Sequence, residues 1–131
     1  MKTFFVSRSF AFRYAFSGWW FVIRTQRNAW IHAVATAVVL VMSFWLRLSF
    51  LEWAVILLAV AMVWLAEFLN TALEAVVDLS SPQHHELAKV GKDVGAAAVL
   101  ITAASSALIG FLVLGPPLLE KIRSIFDRTN F

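Results

Sequence analysis

The chain has 131 residues, 61% of them hydrophobic and 15% charged, a balance too apolar for a water-soluble domain of this length. Its size leaves room for one membrane unit and no separate soluble domain, and the lack of any cysteine excludes disulfides and thiolate metal sites. The formal net charge of +3 is gathered at the N-terminus in Lys2, Arg8, Arg13, Arg24 and Arg27, a pattern that suits anionic lipid headgroups before nucleic acid.

Residues 4–27 interleave Phe4, Phe5, Phe10, Phe12, Phe16, Trp19, Trp20 and Phe21 with arginines. Wound as a helix, Ser9, Arg13, Ser17, Arg24 and Arg27 share one side and leave the rest apolar. This predicts an interfacial helix lying on the membrane surface. Arg8 and Arg13 interrupt the apolar stretch, so it does not read as a cleaved signal peptide.

A first span is expected over 30–48, with Trp30 and Trp45 at the two interfaces. A short turn, Arg47 to Glu52, leads to a second membrane helix over 52–79. Ser80-Ser81-Pro82 is expected to stop that helix and start the next, with Ser81 as N-cap and Pro82 at the first helical position. The third membrane helix is expected over 82–114. Its polar first third holds His84, His85, Glu86, Lys89, Lys92 and Asp93, and Gly91 and Gly95 form a GxxxG pair suited to close helix packing. Gly115-Pro116-Pro117 is expected to end it, leaving a mixed tail over 116–131. The N-terminal arm and the 79–93 loop carry seven Lys/Arg against four at the other end, which places the N-terminus and the loop in the cytoplasm.

The chemistry concentrates in AEFLNTALEAVVDL, where Glu67, Asn70, Glu74 and Asp78 recur at helical spacing on one face. At ~1.5 Å per residue, Glu67 lies about 21 Å beyond Trp53, still within or at the edge of a ~30 Å hydrocarbon core. Ionisable groups at that depth are functional candidates. Alone, Glu67 is equally readable as a neutral acid in an interhelical hydrogen bond, and Glu74 and Asp78 as a solvated helix end. His85, Lys92 and Asp93 on the next helix are expected near the same interface. Carboxylates for a divalent cation, a lysine for phosphate charge and a buried carboxylate as base suit phosphoryl transfer. No GxxxxGK loop is present, so a nucleotide would be held without a P-loop. Adjacent His84 and His85 point about 100° apart on a helix, a poor zinc pair.

The segments E-x-x-N-T-A-x-E-x-V-V-D (67–78) and H-E-L-A-K-x-x-K-D (85–93), with RYAFSGW and RN-x-x-I-H upstream, resemble the prokaryotic diacylglycerol kinase / undecaprenol kinase family over about residues 8–114. The resemblance implies an all-α membrane protein with an amphipathic surface helix and three transmembrane helices. It further implies a homotrimer with active sites shared between subunits in the bacterial inner membrane, facing the cytoplasm. Mg2+ and ATP would serve a lipid acceptor, diacylglycerol or undecaprenol, and the S-P-x-x-H-x-L-A-K wording is nearer the undecaprenol branch. Carried over residue by residue, Glu67 matches the general base, Asn70 a residue orienting the reacting groups, and Glu74 a metal ligand. Tyr14, His85, Lys92 and Asp93 match nucleotide-site positions. The sequence departs from the family at Gln26, where a second metal-binding glutamate is common, and the family's N-terminal arginine is not cleanly placed, Arg8 being the nearest candidate and left unassigned. Gln26 keeps a second reading in view, a weak or inactive member acting as a helical membrane scaffold. A third reading, a cation or proton conduit through Glu67, is opposed by the single deep carboxylate.

Overall fold

The structure, a computed structural model, describes residues 2–81, 83 and 85–129, with side chains over 10–81, 83 and 85–127. Four helices account for nearly all of them: α1 (Lys2–Thr25), α2 (Arg27–Leu46), α3 (Phe50–Ser80) and α4 (Glu86–Thr129). The last three are long and apolar enough to cross a membrane. At ~1.5 Å per residue, the 20 residues of α2 rise about 30 Å, just the hydrocarbon thickness. The 31 residues of α3 rise about 46 Å. One end of α3 must therefore stand proud of the hydrocarbon, and Glu74 and Asp78 lie in that end.

The helix boundaries follow local chemistry. α2 begins three residues earlier than the expected 30, because Gln26 holds an extended backbone (φ −98°, ψ 116°) that separates it from α1. It ends at Arg47, whose left-handed backbone (φ 58°) reverses the chain while its own amide and that of Leu48 bond back to the Phe44 and Ser43 carbonyls. α3 starts at Phe50 under a capping box: the Ser49 hydroxyl accepts from the Glu52 amide, and the Glu52 carboxylate accepts from the Ser49 amide at 2.7 Å.

Two expectations for the third membrane helix are corrected. Ser81 does not cap its start. It closes α3 instead, with its amide bonded to the Val77 carbonyl, and α4 begins at Glu86. His85 takes over the capping role, its Nδ1 accepting from the Leu87 amide at 3.2 Å; Pro82 and His84 lie outside the described residues. Nor does Gly115-Pro116-Pro117 stop the helix, which runs on to Thr129 with both prolines inside it. Each proline ring fixes φ near a helical value but forfeits an N–H donor and crowds the carbonyl of the turn before, costs that membrane helices tolerate.

α4 packs antiparallel against α3 along its small residues. Gly91 meets Val77, Gly95 meets Asn70 and Leu73, and Ser106 donates to the Ala59 carbonyl at 3.0 Å. Small side chains are what allow backbones to approach in lipid, where no hydrophobic force drives helices together. α2 lies against both α3 and α4, with Thr36 accepting from the Trp64 indole at 3.1 Å. α1 is fixed to the bundle by Trp19, which stacks on Trp64 at 4.8 Å and tilts against Phe68 at 5.5 Å. The remaining aromatic face of α1, including Phe12 and Phe16, is exposed, as are the outward apolar residues of the three long helices. So large an exposed apolar surface belongs against lipid or another subunit. The core is small, with Ile56, Ala59, Val63 and Val99 beside the buried Glu67 and Thr71.

Candidate functional site

Antiparallel packing of α2 and α3 sets three polar pairs in order along their seam: Thr36 with Trp64, His32 with Glu67, and Gln26 with Glu74. Between this seam and α4 lies a cavity of about 330 Å3. Gln26, Asn28, His32, Glu67, Asn70 and Glu74 provide its polar lining, and Ala96, Val99, Leu100 and Ala103 of α4 its apolar wall.

The members of the stripe differ sharply in environment. Glu67 is 1% exposed. Its carboxylate Oε2 stands 3.7 Å from His32 Nε2, and both atoms are buried without a hydrogen-bond partner. Asn70 donates from Nδ2 to Glu74 Oε1 at 3.1 Å, while its Oδ1 is buried and unpaired. Glu74 Oε2 accepts from Gln26 Nε2, also at 3.1 Å. Two amides thus pin the Glu74 carboxylate from two helices. Gln26 occupies the N-cap position of α2 but makes no side-chain cap there. It spends its amide across the seam on Glu74.

The residues expected from α4 gather elsewhere. Lys92 forms an ion pair with Asp78, and these two, with His85, Lys89 and Asp93, line a second cavity of about 290 Å3 at the protruding end of α3 and α4. One chain therefore does not bring Glu67, Asn70 and Glu74 into the same cavity as His85, Lys92 and Asp93. The physical reason is height along α3: Asp78 lies a turn beyond Glu74, level with the start of α4, where Lys92 meets it, whereas Glu67 and Glu74 lie lower, opposite His32 and Gln26. Tyr14 belongs to neither cavity and is exposed on α1. Arg8 lies outside the described side chains.

His32 is the residue that the stripe argument passed over. It is the one ionisable side chain inside the apolar run from Trp30 to Leu46, and the rule that singles out Glu67 applies to it equally.

Among the described residues, no group of three or more His, Asp or Glu side chains could hold a metal alone. The side chains that meet around Glu74 are the amides of Gln26 and Asn70, which present Nε2 and Nδ2 to its carboxylate and would turn their oxygens to a cation. An all-oxygen set with a single charge fits magnesium that arrives on substrate phosphates and keeps most of its water, not a cation caged by protein.

The sequence model of prokaryotic diacylglycerol kinase matches residues 13–114. Over 108 residues the chain is 43% identical to an undecaprenol kinase of Bacillus subtilis, an alignment covering 82% of this chain and 88% of that protein. It is 44% identical over 111 residues to a diacylglycerol kinase of Synechocystis, covering 84% of this chain but only 63% of that longer protein. A diacylglycerol kinase of Escherichia coli is 38% identical over 82 residues, 57% of this chain and 67% of that one. With most of its length matched, its three apolar helices in place and its polar motif residues lining the seam between them, the chain belongs to the prokaryotic diacylglycerol kinase family.

Proposed function

We propose that this chain is a membrane lipid kinase that transfers the γ-phosphate of ATP to the hydroxyl of diacylglycerol or an undecaprenol-type alcohol. The observation that carries the reading is the placement of Glu67, Asn70 and Glu74 in one cavity of a chain that belongs to this family. The order of these residues along α3 matches the order of the chemistry. Glu67 lies deepest, where a lipid hydroxyl can reach it without leaving the bilayer, and acts as the general base. Glu74 lies at the protruding end, where charged phosphates stay hydrated, and Asn70 spans the two. Bound magnesium would offset phosphate charge, held by Glu74 with help from the Gln26 side-chain oxygen.

Lys92 and Asp93, with His85, serve the nucleotide, and Lys92 supplies positive charge to its phosphates. Within one chain they face a separate cavity. We therefore assign the complete site to an oligomer, a homotrimer by resemblance to the family, in which the nucleotide residues of one subunit complement the carboxylates of the next. In this arrangement α1 lies at the cytoplasmic face of the inner membrane, with Tyr14 near the nucleotide. Mixing subunits tests it: Glu67→Gln and Asp93→Asn chains, each inactive alone, should regain activity when co-assembled. Failure to complement, in mixed oligomers shown to form, would return the site to a single chain.

The direct test is incorporation of labelled phosphate from Mg-ATP into diacylglycerol and undecaprenol in mixed micelles. Product with at least one lipid is expected, and no product with either would sink the kinase reading in favour of a scaffold. Gln26→Glu probes the metal. It sets a second carboxylate about 3 Å from Glu74, repulsive until a cation bridges them. The magnesium concentration giving half-maximal activity should fall severalfold, and an unchanged magnesium dependence would remove residue 26 from the metal site.

A further inference from the structure

His32 Nε2 and Glu67 Oε2 are 3.7 Å apart, too far for a direct hydrogen bond. Both are buried and unpaired, a costly state for two polar atoms. At that spacing one oxygen atom reaches hydrogen-bond distance of both once the two side chains turn toward the cavity they line. His32 also stands where two cavities meet. Ile31, His32 and Ala103 line the polar cavity and also an apolar groove of about 330 Å3. The groove runs between α2, α3 and α4, past Ile56 and Ala59 to Gly110, away from Glu74. An oxygen held by His32 and Glu67 thus has phosphate-side groups on one hand and a hydrocarbon-lined groove on the other. A terminal hydroxyl on an apolar chain matches both.

We propose that His32 is a further catalytic residue, donating a hydrogen bond from Nε2 to the acceptor hydroxyl oxygen while Glu67 takes the hydroxyl proton. This rests on the reading of Glu67 as the base. The hydroxyl oxygen forms a bond to the γ-phosphorus. The bond from that phosphorus to the β–γ bridging oxygen breaks, its electron pair leaving with ADP. The proton of the hydroxyl ends on Glu67, and His32 keeps its own proton, fixing which lone pair of the oxygen faces the phosphorus.

The test uses the full chain in micelles with two readouts. In turnover, His32→Leu should lower kcat by about 10²-fold, the scale of one lost transition-state donor, with KM for ATP unchanged. His32→Gln, whose amide N–H can take the place of Nε2–H, should recover to within about tenfold of the unaltered chain by the same reckoning. In binding, the thermal shift produced by dioctanoylglycerol or farnesol should exceed that of the analogue in which hydrogen replaces the hydroxyl, and His32→Leu should erase that preference. Unaltered turnover in His32→Leu would overturn the proposal, as would an alcohol preference that survives in it or is absent from the unaltered chain. Silent Glu67→Gln beside a fully active His32→Leu would sink His32 alone. Fully active Glu67→Gln would sink the base assignment, and the binding comparison would still decide His32.

Discussion

Glu67→Gln is expected to cut lipid phosphorylation by about 10³-fold or more while the helices stay assembled. The substitution keeps the shape of a side chain that is 1% exposed and removes only its capacity to accept a proton. The Thr71 hydroxyl bonds to the Glu67 backbone carbonyl at 2.9 Å, a contact the substitution leaves alone. Replacing a buried carboxylate by an amide also relieves the cost of burying an ionisable group. A fall in turnover with unchanged elution and thermal midpoint would therefore report chemistry and not folding. Turnover within tenfold of the unaltered chain would remove Glu67 as the base.

Gly95→Ala should damage both stability and activity, and for a different reason. A methyl group at Gly95 would lie 3.2 Å from Leu73 Cδ2 and run into Asn70 Oδ1. Asn70 cannot turn aside freely, since its Nδ2 is bonded to Glu74 and its Oδ1 is already buried. Either α4 backs away from α3 or Asn70 leaves Glu74. Overpacking of this kind costs about 1–3 kcal/mol, and displacement of Asn70 should lower turnover by at least tenfold, on the scale of one lost polar contact in the transition state. Asn70→Ala in the Gly95→Ala background should restore the thermal midpoint without restoring activity, which separates the packing effect from the chemical one. Gly18→Ala is the control. An added Cβ there meets nothing within 4 Å and should change neither quantity. Full activity in Gly95→Ala would mean that Asn70 is not held where the packing places it.

Much of the bundle is legible from local signals. The apolar runs and the GxxxG pair are properties of single helices, and the structure uses both. The failures are also local in cause. Ser81-Pro82 carries the composition of a helix start, but α3 runs through to Ser80 and the His85 ring caps α4 instead. Gly115-Pro116-Pro117 has the composition of a stop, yet the helix continues through both prolines, as membrane helices allow.

The candidate site divides along the same line. Periodicity along one helix is enough to put Glu67, Asn70 and Glu74 on a shared face, because their geometry depends only on the turn of that helix. It is also enough to make Glu67 deep and Glu74 shallow, because rise per residue sets depth. What neighbours the stripe is a matter of rotation and register between helices, which no single segment encodes. Only the packed bundle sends Asp78 to Lys92, directs Gln26 past its own helix cap to Glu74, and sets His32 opposite Glu67. Those outcomes depend on how closely α4 approaches at Gly91 and Gly95 and on how α2 slides along α3, and both are decided by the shapes of several side chains at once.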